Sequence, residues 1–328
     1  MMKNKKTTLI LSSILAVSAS IGMSQTQAKA GLLQVTAVAT SDYAKTKYPI
    51  VFAHGMFGFS RVGFDSFGLD YFYQVLPDLA RNGASVFATQ VSPLESTEVR
   101  GEQLLAQVEE VRALTGKAKV NLIGHSHGGP TARYVAAIRP DLVASVTGVA
   151  GTFLGSKVAD DILASTGTSN AFNVVGGKLL APAINWLSGN TKLPTNSNAS
   201  LTSISEKGAA VFNRKFPTTA LSSNCSISGA KVENGIQYYS WTGKAQVTNS
   251  LDVLDSLISQ LGPLSYGNKD NDGLVSRCNT HLGQVIRDDY YHNHLDEVNM
   301  VLGLRDITSP DPVSLYRQHA NRLKLQGL

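Results

Sequence analysis

Apolar and polar residues follow two alternating rhythms along this chain. Residues 48–53 (YPIVFA) form a near-continuous apolar run, the signature of a strand buried on both faces. Residues 84–91 (ASVFATQV), 120–123 (VNLI) and 142–149 repeat it. Between these runs the period lengthens. Residues 71–81 and 131–138 are helix-capable, and residues 98–115 set Leu104, Leu105, Val108, Val111 and Leu114 on one helical face. Strands alternating with helices predict an α/β domain, with a mostly parallel central sheet and helices on both faces.

After Gly151 the regularity lapses. Residues 160–200 are rich in Ser, Thr, Asn and Gly. Within them, residues 171–187 carry a broad apolar face (Phe172, Val174, Val175, Leu179, Leu180, Ile184, Trp186, Leu187) broken by Gly176, Gly177 and Pro182. Such a stripe is a core helix or a movable lid, and periodicity does not choose between them. The last third offers a strand at 237–242, a short helix near 251–261 and a turn-rich polar loop at 268–273. A short apolar piece at 285–287, a His- and acid-rich loop at 292–299 and a terminal surface helix at 314–324 complete the pattern.

The first thirty residues do not fit the domain. Lys3, Lys5 and Lys6 precede an apolar stretch too short to span a bilayer comfortably, and Ala28-Lys29-Ala30 supplies small residues for cleavage. The expectation is a secretory signal peptide over residues 1–30, with an uncleaved anchor as the alternative, and one catalytic domain over residues 31–328. Removal of the leader changes the charge. The whole chain carries +5, but without the four leader lysines 25 basic residues face 24 acidic ones. That balance gives no case for nucleic acid or an anionic surface as partner. An even pair of cysteines, Cys225 and Cys278, in an exported chain suggests a disulfide. On the chain-entropy account it would contribute about 4 kcal/mol.

Candidate chemistry concentrates in residues 120–129 (VNLIGHSHGG). Gly124-His125-Ser126-His127-Gly128 lies between strand and helix, the nucleophile-elbow pattern. A Ser held at a strained φ/ψ on a tight turn needs neighbours without bulk at −2 and +2. Such a turn lifts the hydroxyl clear of the sheet, beside free N–H groups at a helix N-terminus. The hydroxyl also needs a base, and a third group to hold that base in the right tautomer, following in the order Ser, acid, His. Downstream histidines are His281, His292, His294 and His319; the acids include Asp252, Asp255, Asp270, Asp272, Asp288 and Asp289. Spacing alone does not choose among them. Asp272, in a turn followed by apolar residues, suits the rim of a sheet, and Leu295 can anchor a loop bearing His294. His281 and His292 stay open, whereas His319 in its charged helix reads as solvated. For the oxyanion, the expected donors are the backbone N–H groups of His127 and of Met56, the latter in His54-Gly-Met-Phe-Gly58.

HGMFG (54–58), VRGEQL (99–104), VNLIGHSHGGPTARYVAA (120–137), NDGLV (271–275), HLDEVN (294–299) and VSLYRQHANRLK (313–324) together closely resemble the secreted Pseudomonas-type bacterial triacylglycerol lipases. The resemblance runs from about residue 48 to the C-terminus. It implies an α/β-hydrolase fold with Ser126 as nucleophile, Asp272 as acid and His294 as base. It also implies a Cys225–Cys278 disulfide and a helical lid around residues 171–187, within a lid region of about 155–200. One structural Ca²⁺ is implied, with carboxylates of Asp252 and Asp296 and main-chain carbonyls of Met300 and Leu304 as ligands. Relatives commonly have Gln at the place of Met300, which is immaterial to a carbonyl ligand. Gly151-Thr-Phe-Leu-Gly155 departs from a Pro-His step in relatives and bears on pocket shape.

The same resemblance implies a dedicated membrane-anchored folding chaperone and two-step export through the periplasm. The expected activity is hydrolysis of long-chain triacylglycerols at a lipid–water interface, without a redox or organic cofactor. The alternatives are a short-chain carboxylesterase without interfacial activation and a catalytically silent lipid-binding protein.

Overall fold

The structure, a computed structural model, describes residues 25–29, 31–64, 67–222, 224–225 and 228–328. Most of the expected leader, residues 1–24 and 30, lies outside them. The strands are β1 (Gln25–Lys29), β2 (Leu32–Thr36), β3 (Ile50–Ala53), β4 (Arg61–Phe64), β5 (Phe67–Asp70) and β6 (Val86–Thr89). They continue with β7 (Val120–His125), β8 (Val143–Val149), β9 (Val232–Glu233), β10 (Ile236–Gly243) and β11 (Gln284–Tyr290). The main sheet runs β1-β2-β6-β3-β7-β8-β10-β11, with β9 beside β10, while β4 and β5 form a separate hairpin. From β6 to β11 every neighbouring pair on that path is parallel. The expectation of a mostly parallel sheet therefore holds.

From β3 the chain adds β6 on one side, then returns to the other side with β7 and builds outward. This reversal leaves the C-terminal ends of β3 and β7 flanking a topological switch point, where open α/β sheets bind ligands. Helices cover both faces, as the uninterrupted burial of β7 and β8 requires. On one face α2 (Thr97–Thr115) and α3 (Gly128–Ile138) pack Leu104, Val108, Val111 and Val135 against Val51, Leu122 and Val146. On the other, α1 (Val75–Arg81) and the C-terminal helix, Pro312–Leu325, pack Leu76, Leu79, Tyr316 and Ala320 against Phe52 and Trp241. Helix α2 begins where the Ser96 hydroxyl accepts from Val99 N–H and ends at Gly116, φ 65°.

Two expectations change. The C-terminal helix is not a surface helix, and His319 is not solvated: Tyr316, His319, Ala320 and Leu323 fall at helical spacing and are all buried. Arg322 donates to His319 Nδ1 at 2.9 Å, which leaves Nε2 to donate to Thr147 Oγ1 at 2.8 Å. The basic residues between these positions had masked the apolar stripe. Residues 160–200, of which only 171–187 were expected to be helical, are helical over most of their length. Helices α4 (Lys157–Ala164) and α5 (Thr166–Ala171) lead into a π-helical stretch, Phe172–Leu180, then α6 (Ala181–Leu187) and α7 (Ser197–Ile204). Pro182 lacks an N–H and crowds the carbonyl four residues back, so the chain passes it with wider turns rather than breaking. Helix α8 (Glu206–Lys215) follows, and further on α9 (Val253–Tyr266). The Cys225–Cys278 disulfide is formed, closing 53 residues of sequence separation.

His319→Ala should destabilise the fold by about 2–4 kcal/mol, because it opens a cavity and strips Thr147 and Arg322 of a buried partner. Urea unfolding measures it; a change within about 0.5 kcal/mol, the range of surface substitutions, would mean the side chain is solvated after all.

Candidate active site

The turn between β7 and α3 is as tight as the glycine spacing requires. Ser126 has φ 54°, in the left-handed region that side chains avoid. A Cβ on Gly124 would lie 2.1 Å from Gly128 O, and one on Gly128 would lie 2.2 Å from Ala53 O. No larger residue fits either place, so the strained serine is held between two obligatory glycines. Three backbone bonds fix it: Ser126 N–H to Val149 O at 3.0 Å, and Gly129 and Thr152 N–H to Ser126 O at 3.0 and 3.3 Å. The segment 151–155 thus forms part of the elbow's support, with Phe153 buried against Gly129, Gly148 and Gly151.

Among the sequence candidates, the structure brings together Asp272 and His294. His294 Nδ1 lies 2.7 Å from Asp272 Oδ2, and the His294 N–H donates to Asp272 O at 2.9 Å. Both side chains are buried. Asp272 is itself held, since Oδ1 accepts from the N–H groups of Leu274 and Val275 at 3.0 and 2.8 Å. These bonds leave one oxygen for the imidazole, fixing Nδ1–H and freeing Nε2 to act as a base. The other histidines are engaged elsewhere. His292 Nε2 bonds Pro310 O at 2.7 Å, and His281 pairs with Asp288 at 3.0 Å. Asp270 is exposed and pairs with Arg277, Asp289 pairs with Arg287, and Asp255 accepts from Thr248 and Asn249 N–H groups.

The expected oxyanion donors sit on two rigid supports. His127 directly follows Ser126, and its ring is buried with Nε2 2.9 Å from Thr97 Oγ1. Met56 lies in the loop after β3, where His54 Nδ1 donates to Gly55 O at 2.8 Å while Nε2 accepts from Val91 N–H. Burial drives the His54 pKa down to about 3, so the ring is neutral, as that bonding requires. Gly58 must lack a side chain because its Cβ would fall 2.5 Å from the His54 ring. Since the Gly55 carbonyl is anchored, the trans peptide aims the Met56 N–H the opposite way. Among the described residues neither the Met56 nor the His127 N–H has a backbone or side-chain acceptor.

Sequence reasoning missed the groups behind this loop. Arg100 is fully buried and donates to the carbonyls of Ser92, His54 (2.6 Å) and Gly55 (3.3 Å). Burial lowers its pKa to about 9, and no carboxylate among the described residues pairs with it. Gly101 beside it lets α2 touch the Tyr134 ring, 2.2 Å from where a Cβ would sit. In the sequence, VRGEQL (99–104) marks a family resemblance and gives no sign of this role. Glu297 was also missed: it is buried, accepts from Gly243 N–H at 2.5 Å, and is pushed up by burial and then by Asp272.

The expected metal ligands lie near the base. Asp252 caps α9, accepting from Leu254 N–H, while Asp296 Oδ2 accepts from Asn293 N–H at 3.0 Å. Asp296 Oδ1 is buried with no hydrogen-bond partner. Burial, with repulsion from Asp255 and Asp252, raises the Asp296 pKa to about 7. An orphaned carboxylate oxygen beside other acids fits a hard cation. No group of three or more His, Cys, Asp or Glu side chains suited to a metal occurs among the described residues, so carbonyls would have to complete the shell.

The alpha/beta hydrolase fold family matches residues 48–259. A Vibrio cholerae protein named triacylglycerol lipase is 50% identical over 295 residues, spanning 89% of this chain and 92% of its own. A Pseudomonas fragi protein of the same name is 40% identical, spanning 88% of this chain and 99% of its own. Among solved structures, a Staphylococcus hyicus lipase superposes with a TM-score of 0.59 at 18% identity, over 88% of this chain and 99% of its own. A mature Bacillus licheniformis lipase gives 0.58 at 18%, over 84% and 96%.

Asp272→Asn should lower the rate at which Ser126 is acylated by an activated ester by on the order of 10⁴, since an amide holds the imidazole in the wrong tautomer. Asp270→Asn should cost less than about threefold, a small fraction of the barrier. The reverse ranking in stopped-flow acylation would move the acid to Asp270.

Proposed function

The chain belongs to the alpha/beta hydrolase fold family, and from that premise we propose that it is a secreted lipase hydrolysing long-chain triacylglycerols by a serine acyl-enzyme route. One observation carries the chemistry: the buried His294–Asp272 pair shares the sheet's rim with a serine strained at positive φ between two obligatory glycines. The 50% identical relative supports the substrate class. Ser126 Oγ attacks the ester carbonyl as His294 Nε2 takes its proton. The Met56 and His127 N–H groups hold the oxygen that gains charge. His294 then gives the proton to the departing glyceride oxygen, and water repeats the cycle on the acyl-enzyme.

The lipid surface is the second part of the proposal. Val174, Val175, Leu179, Leu180, Trp186 and Leu187 are exposed on the segment running through the π-helical stretch and α6, whereas Gly176 is buried against Phe57. An apolar face turned outward suits a lid that meets a lipid–water interface and suits a core helix poorly. Phe172 packs on Phe57, with centroids 5.4 Å apart, so the segment rests on the residue next to Met56.

We also propose one structural Ca²⁺ held by Asp252 and Asp296, with carbonyls from Met300 and Leu304. The ion would offset the repulsion among these carboxylates and steady the loop that carries His294. Export after removal of residues 1–30 and folding with a dedicated chaperone complete the proposal. The formed disulfide is in keeping with an oxidising compartment. No helix among the described residues is long and apolar enough to cross a membrane.

An active-site phosphonate should label Ser126 with one equivalent and stop turnover, while Ser126→Ala should fold normally and take none. Residual activity of the alanine variant within about tenfold of wild type, some 1.4 kcal/mol in barrier, would point to another nucleophile. A rise in rate as substrate crosses its solubility limit is expected; simple saturation below that limit would favour the short-chain esterase. Chelation should lower the melting temperature, with recovery on Ca²⁺ but poor recovery on Mg²⁺, which demands tighter octahedral geometry. A bound ion at roughly a hundred times its Kd stabilises by about 2.7 kcal/mol. A wild-type melt identical with and without EDTA, together with no calcium by elemental analysis, removes the ion.

A further inference from the structure

Behind the nucleophile lies a line of buried polar groups to which the acyl-transfer scheme gives no role. Gly55 N–H donates to Tyr71 Oη at 3.2 Å. Tyr71 Oη is 2.7 Å from His125 Nδ1, and His125 Nε2 is 2.9 Å from the main-chain carbonyl oxygen of His294. Tyr71 and His125 are both buried.

Valence fixes the protons along this line. A carbonyl oxygen only accepts, so His125 Nε2 carries the hydrogen. Burial pushes the His125 pKa well below its ordinary value, which keeps the ring neutral and Nδ1 a bare acceptor. Tyr71, its own pKa pushed up by burial, keeps its proton and donates it to Nδ1. The phenol oxygen is then free to accept from Gly55. Every donor points one way, from Gly55 through Tyr71 and His125 to His294.

The ends of the line are what give it meaning. Gly55 immediately precedes Met56, the proposed oxyanion donor. His125 immediately precedes Ser126. The carbonyl that ends the line belongs to His294, the proposed base, whose ring lies 4.6 Å from that of His125. Fit at the first end is close, because a Cβ on Gly55 would be 2.7 Å from Tyr71 Oη and 2.9 Å from Ser126 Cβ. Three loops from distant parts of the sequence are thus tied through two side chains.

We propose that Tyr71 and His125 are positioning residues that lock the oxyanion-donor loop, the nucleophile turn and the base loop into one mutual geometry. This inference rests on the hydrolase reading above. Acyl transfer needs the donor, the hydroxyl and the imidazole in register at once, and a misplacement of about 1 Å can cost on the order of 10²-fold in rate. Neither residue touches substrate in this scheme, so both act through their neighbours.

The test is a double-mutant cycle on the full chain with a soluble p-nitrophenyl ester, each rate divided by the number of sites that take up phosphonate. Tyr71→Phe keeps the ring and removes the hydroxyl. His125→Gln can keep an amide donor near the Nε2 position but loses the acceptor at Nδ1, so both variants cut the same bond. Each should lower kcat about tenfold while KM stays within about twofold, the split expected when register rather than binding is lost. The double variant should be no slower than the slower single, since coupled sites are not additive.

His125→Asn is the complement, keeping an acceptor where Nδ1 was and dropping the link to His294. It should lose kcat likewise, and it serves if Tyr71→Phe folds poorly. Wild-type kcat per labelled site in Tyr71→Phe or His125→Asn overturns the proposal, as do single losses that multiply in the double. A wild-type chain inert to esters and phosphonate alike overturns the hydrolase reading and this inference with it. An active wild type with an unaffected Tyr71→Phe overturns this inference alone.

Discussion

The close approach of backbone to backbone at the β7–α3 turn governs the rest of this site. Gly128 sits so near the carbonyl of Ala53 that a methyl group would overlap it, and Gly124 meets Gly128 in the same way. That contact brings the end of β7 against the end of β3. It thereby sets Ser126 beside the loop carrying Gly55 and Met56. A residue at positive φ costs on the order of 1–3 kcal/mol, and it persists only where the surroundings over-determine it. Here three backbone hydrogen bonds and two packed glycines do so.

Around this turn, polarity is buried rather than avoided. His54, Tyr71, Arg100, His125 and His127 are all shielded from solvent, yet each has a directed partner. Arg100 differs from the others in carrying a charge. Its charge is satisfied by three carbonyl dipoles instead of a carboxylate, so a net positive centre remains behind the loop that carries Met56. In a water-poor setting that field, and the fixed N–H groups in front of it, would favour an oxygen gaining negative charge under the proposed acyl transfer, without reorganising when the charge arrives.

The acidic side of the site has the opposite character. Asp272 has four lone-pair directions and uses three of them, on two backbone N–H groups and the His294 ring. Nearby, Glu297, Asp296 and Asp252 all have their carboxyls pushed up by burial, with mutual repulsion adding to it. Such a cluster is stable when protons or a cation relieve it, which is why a metal at Asp252 and Asp296 would be felt at His294, two residues from Asp296.

The sequence alone determined the alternation of strands and helices, the elbow, and the two loops supplying Met56 and His127. Each is local: a run of apolar residues, or glycines at fixed spacing, forces its own conformation. Spacing left open which of four histidines and several acids meet, and only the family resemblance named Asp272 and His294, because those contacts join segments that the folded sheet alone brings together. His294 and Asp272 are 22 positions apart, His125 and His294 169. Tyr71, Arg100 and Glu297 carry no motif by themselves; their roles arise from what burial places opposite them. The misjudged C-terminal helix makes the same point from the other side. Its charges were visible in the sequence, but the apolar stripe of Tyr316, His319, Ala320 and Leu323 acquires its meaning from Trp241 and Thr147 beneath it. Local sterics are written in neighbouring residues, whereas pairing across the core is decided by tertiary packing, where an unmatched polar group costs most.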